Sequence, residues 1–107
     1  MANRAHVLRT WFTLTQLDMA TIQSEVMFEN EASRRALERV GYLVTDLSPR
    51  VRRVDGVYVD SYLLTLISPL WIPRLYPDPE GLPEKYRISV QRVQETLDKA
   101  KEVVEEL

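Results

Sequence analysis

Asn30-Glu31-Ala32-Ser33-Arg34-Arg35-Ala36-Leu37-Glu38-Arg39-Val40-Gly41-Tyr42 opens on a residue that favours helix N-termini and closes on one that tolerates positive φ. Between them Ala32, Ala36, Leu37 and Val40 recur at helical spacing, so a short amphipathic helix is bracketed at both ends. Immediately before it, residues 20–28 alternate. Ile22, Ser24, Val26 and Phe28 share one side, and Thr21, Gln23, Glu25 and Met27 share the other, which is the period of a strand with one buried face. A strand running straight into a helix N-terminus is the unit around which the rest is arranged.

Downstream, residues 42–54 and 57–67 are rich in β-formers and are separated by Asp55-Gly56, a dipeptide suited to the positive φ angles of a tight hairpin turn. Pro49, with no N–H to donate, marks the first of these strands as broken or as lying at an edge. Residues 68–83 contain five of the six prolines and read as a linker or wrapping arm with little regular structure. Tyr86, Val90, Val93, Leu97, Ala100, Val104 and Leu107 then alternate four and three apart, a heptad seam. That seam fits equally a helix packed on its own sheet and a helix-to-helix contact between two chains. Upstream, residues 5–17 place Val7, Leu8, Trp11, Phe12 and Leu14 at helical spacing, with Asn3 as a candidate cap and Trp11 and Phe12 as core. The expected fold is α+β: helix, strand, helix, hairpin, proline-rich arm and long helix over a three-stranded sheet.

Composition narrows function by exclusion. Hydrophobic residues at 45% and a net charge of −2 over 107 residues fit one globular unit, not a disordered tail or a generally basic nucleic-acid coat. Without cysteine there is no disulfide scaffold or thiolate chemistry, and His6 alone cannot build a histidine zinc site. No apolar run is long enough for a membrane span, and no leader pattern stands at the N-terminus, so a cytoplasmic location is expected. Arginine outnumbers lysine, which is compatible with a thermophilic source.

The segment Asn30 to Tyr42 resembles the strand-to-helix signature of the GCN5-related N-acetyltransferases (the GNAT superfamily), in particular the branch that acetylates ribosomal-protein N-termini. The likeness continues through Arg52-Arg53-Val54-Asp55-Gly56 and Tyr62 to Trp71, which look like that branch's closing hairpin; it spans about residues 5–71. The resemblance implies half of an acyl-CoA N-acyltransferase fold in residues 1–72, a proline-rich linker in 73–84 and an added heptad helix in 85–107. It further implies acetyl-CoA as cofactor, Asn30 and Ser33 touching it, Ser33 acting near the leaving thiol as the catalytic candidate, and an amine as acceptor. Arg34 and Arg35 belong to a run with Arg39, Arg50, Arg52 and Arg53 that can meet CoA phosphates.

Three departures from the family pattern accompany these matches. The chain's glycines, Gly41, Gly56 and Gly81, cannot form the family's pyrophosphate-binding loop. Leu37 stands where many members carry a tyrosine general acid. The strands that precede the loop in the family have no counterpart, so the edge of the strand at 20–28 calls for a homodimer mate or another chain to complete the sheet. Acetyl transfer is accordingly expected only with a partner that supplies the loop. The alternatives are a non-catalytic assembly protein using the sheet edge and heptad helix, and a winged-helix DNA reader, which needs one more helix than residues 28–42 can hold. His6, Glu25 and Glu29 are weaker candidates for a general base, with solvent exposure or a bystander role the plainer explanation.

Overall fold

The computed structural model describes residues 2–106, with the side chains of residues 2, 3 and 50–54 outside the description. Helix α1 (Ala2–Trp11) runs into a single π-helical turn at Phe12–Gln16, followed by strand β1 (Thr21–Met27), helix α2 (Glu31–Val40), strands β2 (Leu43–Val54) and β3 (Val57–Ile67), a one-turn helix α3 (Ile72–Leu75), a 3-10 turn at Pro79–Gly81, and helix α4 (Glu84–Glu105). The sheet is antiparallel throughout, in the order β1-β3-β2. The α+β architecture expected from the sequence is therefore present, with the expected three-stranded sheet.

The hairpin turn forms as its residues dictate. Asp55 and Gly56 both take positive φ, 51° and 82°, and Val54 pairs with Val57. Pro49 lies in edge strand β2 within a register irregularity between Ser48 and Arg52, where a missing N–H removes no ladder bond. Alternation along β1 is also as read: Val26 is buried and Ile22 and Ser24 half-buried, while Thr21, Gln23 and Met27 are exposed. On the helix-covered face Leu64, Leu66, Val26 and Tyr42 meet Leu14, Leu37, Val40, Val93 and Leu97, and this cluster is the core.

Three expectations are corrected, and the seam of α4 takes one of the two arrangements left open. Asn3 lies inside the first turn of α1 and does not cap it, because the neighbouring Ala2, Arg4 and Ala5 extend the helix upstream. Phe12 is not core: the π turn rotates it outward, 51% exposed, and turns Leu14 fully inward instead. The proline segment is not devoid of regular structure, since Pro73 and Pro79 stand in the first turns of short helical segments, where a missing N–H costs nothing. The heptad seam packs within the chain, with Val93, Leu97 and Ala100 buried, and α4 lies against α1, α2 and β3. The seam position Leu107 lies outside the described residues.

The docking of α4 is specified by polar groups as much as by the seam. Helix α2 ends at Gly41 (φ 116°), with Tyr42 N–H donating to Leu37 O and Gly41 N–H to Glu38 O, and the remaining C-terminal carbonyls need partners. Helix α4 supplies partners: Ser89 Oγ donates to Gly41 O and Thr96 Oγ1 to Val40 O at 3.1 Å, while Arg92 Nη1 adds a second donor to Glu38 O at 3.2 Å. The two backbones come so close that a Cβ on Gly41 would overlap Val93 Cγ2 and sit 2.9 Å from Val93 N. Glycine is required there twice over, by its φ and by that approach.

Gly41→Ala is predicted to destabilise the fold by about 3 kcal/mol in urea unfolding, from backbone strain plus overpacking. Gly81→Ala, which meets nothing within 4 Å, is the control and should stay within about 0.5 kcal/mol of the parent.

Burial also lifts the Tyr42 phenol above its ordinary value of 10.0, with Arg9 pulling more weakly the other way. The native state thus holds this proton longer than the unfolded chain does. Its contribution to stability is intact below pH 10 or so and is lost as pH rises beyond that, since the unfolded state ionises first. Tyr42→Phe should flatten the alkaline fall in urea midpoint, and phenolate absorbance in the parent should show one of the five tyrosines ionising at higher pH than it does in the unfolded chain.

Candidate functional site at the β1–α2 junction

Strand β1 delivers the chain to the N-terminus of α2 through a tight turn in which Phe28 N–H donates to Asp60 O and Asn30 N–H to Met27 O. Asn30 is exposed and caps α2: its Oδ1 accepts from Ser33 N–H at 3.2 Å, and its own carbonyl accepts from Arg34 N–H. Asn30 Nδ2 and the half-buried Ser33 Oγ make no hydrogen bond among the described residues. The junction therefore offers two uncommitted side-chain donors beside the first, partly unsatisfied turn of a helix.

The arginines are differently placed. Arg35 Nη2 lies 2.7 Å from Glu31 Oε1, and Arg34 bridges Glu38 at 2.8 Å and Glu31 at 3.4 Å. Arg34 also sits 5.5 Å from the ring centroid of Tyr62, which stacks on Phe28 with centroids 4.2 Å apart and planes 18° off parallel. This aromatic pair under the first turns of α2 was missed by sequence reasoning. The available signal was the strand alternation that puts Phe28 and Tyr62 on the helix-covered face, and Phe28 remains 40% exposed there.

Of the sequence-derived residues, the structure brings Asn30, Ser33, Arg34 and Arg35 together on the first turn of α2. Arg39 is exposed further along the same helix. The side chains of Arg50, Arg52 and Arg53, which completed the expected basic patch, lie outside the described residues. His6 stands on α1 with its Nδ1 accepting from Arg9 Nη2 at 3.1 Å, and Glu29 is exposed in the turn. An apolar groove of about 420 Å³ lies elsewhere, lined by Ile72, Tyr76, Pro79, Glu80, Leu82 and Arg87, apart from the donor-rich junction. Among the described residues no cluster of three or more His, Cys, Asp or Glu could hold a metal ion, and no helix is long and apolar enough to cross a membrane.

The donor set fits the amide- and thiol-bearing arm of a coenzyme A better than its diphosphate. Asn30 Nδ2 and Ser33 Oγ are uncommitted, whereas the two arginines are already matched by Glu31 and Glu38, and no glycine loop stands ahead of a helix.

No family model and no curated protein matches the sequence. Solved structures do match the fold. A chimera of the Vibrio cholerae spermidine N-acetyltransferase SpeG aligns with a TM-score of 0.59 at 20% identity, over 62% of this chain and 39% of that one. A point mutant of the same enzyme gives 0.61 at 17% identity, over 71% and 43%, and its complex with manganese ions gives 0.57 at 18%, over 70% and 43%. The fold class is thus that of part of a GNAT acyltransferase, and the chain spans about two fifths of the length of the solved structures it matches.

Removing the cap with Asn30→Ala should cost about 1 kcal/mol in urea unfolding, while Asn30→Asp, which keeps an acceptor at the N-cap and adds favourable charge at the helix N-terminus, should be neutral or slightly stabilising.

Proposed function

We propose that this chain is an acetyltransferase-like module whose β1–α2 junction binds the pantetheine arm of acetyl-CoA. The observation that carries the reading is the pair of uncommitted donors, Asn30 Nδ2 and Ser33 Oγ, held by a rigid cap at the end of a strand in a GNAT-type sheet. When bound, acetyl-CoA supplies an activated acetyl thioester for attack by an amine. Asn30 Nδ2 would orient the arm by donating to an amide carbonyl, and Ser33 Oγ–H would hydrogen-bond the leaving thiolate, which takes up the proton released by the attacking amine nitrogen. Arg34 and Arg35 meet phosphate only by exchanging it for Glu31 and Glu38, an exchange that ionic strength would weaken.

The site lies within residues 1–72, and α4 acts as its support through the far end of α2. The acceptor class is an amine nitrogen, the chemistry common to the ribosomal-protein branch that the motif resembles and to the spermidine enzymes of similar fold. Turnover needs another chain or segment to grip the diphosphate, because the glycines form no phosphate loop and Arg34 and Arg35 are held by Glu31 and Glu38.

Acetyl-CoA should raise the melting temperature by mass action, about 2.7 kcal/mol when ligand is a hundredfold above its dissociation constant. S-acetylpantetheine should suffice for a shift, and adenosine diphosphate should not. The parent should respond and Asn30→Asp should not, since aspartate retains the cap but loses the Nδ2 donor. Equal shifts in both proteins, or a shift with adenosine diphosphate alone, would rule out the assignment.

A further inference from the structure

The two edges of the sheet are built differently. β2 carries Pro49 and two register shifts, between Val44 and Asp46 and between Ser48 and Arg52, devices that twist and interrupt an edge so that another strand cannot extend it. β1 has none of these. Thr21 to Met27 pair one-to-one with Ile67 to Ser61 without a break, and the strand contains neither proline nor lysine.

Hydrogen bonding fixes which backbone groups face outward. Ser68 N–H donates to Ala20 O, and Phe28 N–H to Asp60 O. Even-numbered residues of this segment therefore turn their backbone groups toward β3, and by antiparallel alternation Thr21, Gln23, Glu25 and Met27 direct theirs to the outer edge. In the sheet, β1 has β3 on one side and no described strand on the other.

We propose that this edge takes the same edge of a second copy of the chain, β1 antiparallel to β1 about a two-fold axis at Ser24, joining the two sheets into one. The sequence of the edge is self-complementary in that register. Thr21 falls opposite Met27, Gln23 opposite Glu25 and Ser24 opposite itself, so every outward-facing residue is paired and a side-chain amide stands across from a carboxylate. An axis at Glu25 would oppose two carboxylates, and an axis at Gln23 would carry Met27 past the end of the partner strand. Apart from Met27, whose carbonyl already accepts from Asn30 N–H, the pairing uses backbone groups outside the turn that carries Asn30 and Ser33, and its readouts, mass and cross-linking, are separate from acetyl-CoA binding.

The absence of native cysteine makes the register directly testable. Ser24 faces its own copy in a non-hydrogen-bonded pair, whose Cα separation of about 4.5 Å lies within disulfide range. Ser24→Cys should cross-link under mild oxidation to a species of twice 12.5 kDa, whereas Thr45→Cys, exposed on the opposite edge, should not. The unmodified protein should sediment at that doubled mass, and Gln23→Pro should return it to 12.5 kDa with an unchanged circular dichroism spectrum, because the Gln23 N–H points away from β3. A parent that sediments at 12.5 kDa at all concentrations would overturn the proposal. So would a folded Gln23→Pro variant that keeps the doubled mass, or a Ser24→Cys variant that cross-links no faster than Thr45→Cys.

Discussion

The rest of the structure hangs on the contact between Gly41 and Val93. It is where the C-terminus of α2 meets the middle of α4 with no side chain between the backbones. Closeness alone would leave the last carbonyls of α2 cut off from water, so Ser89, Arg92 and Thr96 donate to them from one face of α4. The apolar seam beside those residues then closes over Leu37, Val40 and Leu64. Apolar burial supplies the bulk of the stabilisation, and the polar clamp selects one docking position from the several that a heptad surface allows.

That clamp has a consequence at the other end of α2. A helix held at its C-terminus by α4 and at its N-terminus by the Asn30 cap cannot slide relative to β1, so the donors at the junction are presented in a fixed place. Preorganisation of this kind is what lets two weak hydrogen-bond donors contribute to binding, because their ordering cost is met during folding. Glu31 and Glu38 add a second constraint by holding Arg34 and Arg35 along the helix. In the proposed reading the same first turn therefore favours an uncharged, amide-rich ligand over a phosphate. The sheet beneath shows a parallel asymmetry: its β2 edge is interrupted by bulges and a proline, while β1 pairs without a break and has no described strand on its other side.

Much of this was legible in the sequence because the deciding signals are local. Asn30 and Gly41 bracket α2, Asp55-Gly56 turns the hairpin, and the alternation in residues 20–28 separates the faces of β1; each is a property of a few neighbouring residues. Two things were less legible. Whether the seam of α4 faced its own sheet or another helix depended on what lay opposite, and the polar residues that settle it, Ser89, Arg92 and Thr96, carry no apolar signature. Phe12 turns outward while Leu14 stays buried because a π turn shifts the helical phase, which a regular 3.6-residue period cannot anticipate. At the candidate site, the motif singles out Asn30 and Ser33, but the commitment of Arg34 and Arg35 to Glu31 and Glu38 rests on rotamers that spacing alone does not specify.

The claim on which the functional account turns is that a thioester carrier's arm is received at the β1–α2 junction. Backbone amide chemical shifts recorded during a titration with acetyl-CoA test it residue by residue. The account predicts that shifts concentrate between Phe28 and Arg35, while the groove around Ile72, Tyr76 and Leu82 stays silent. Shifts centred on that groove, or an unchanged spectrum at saturating ligand, would contradict it.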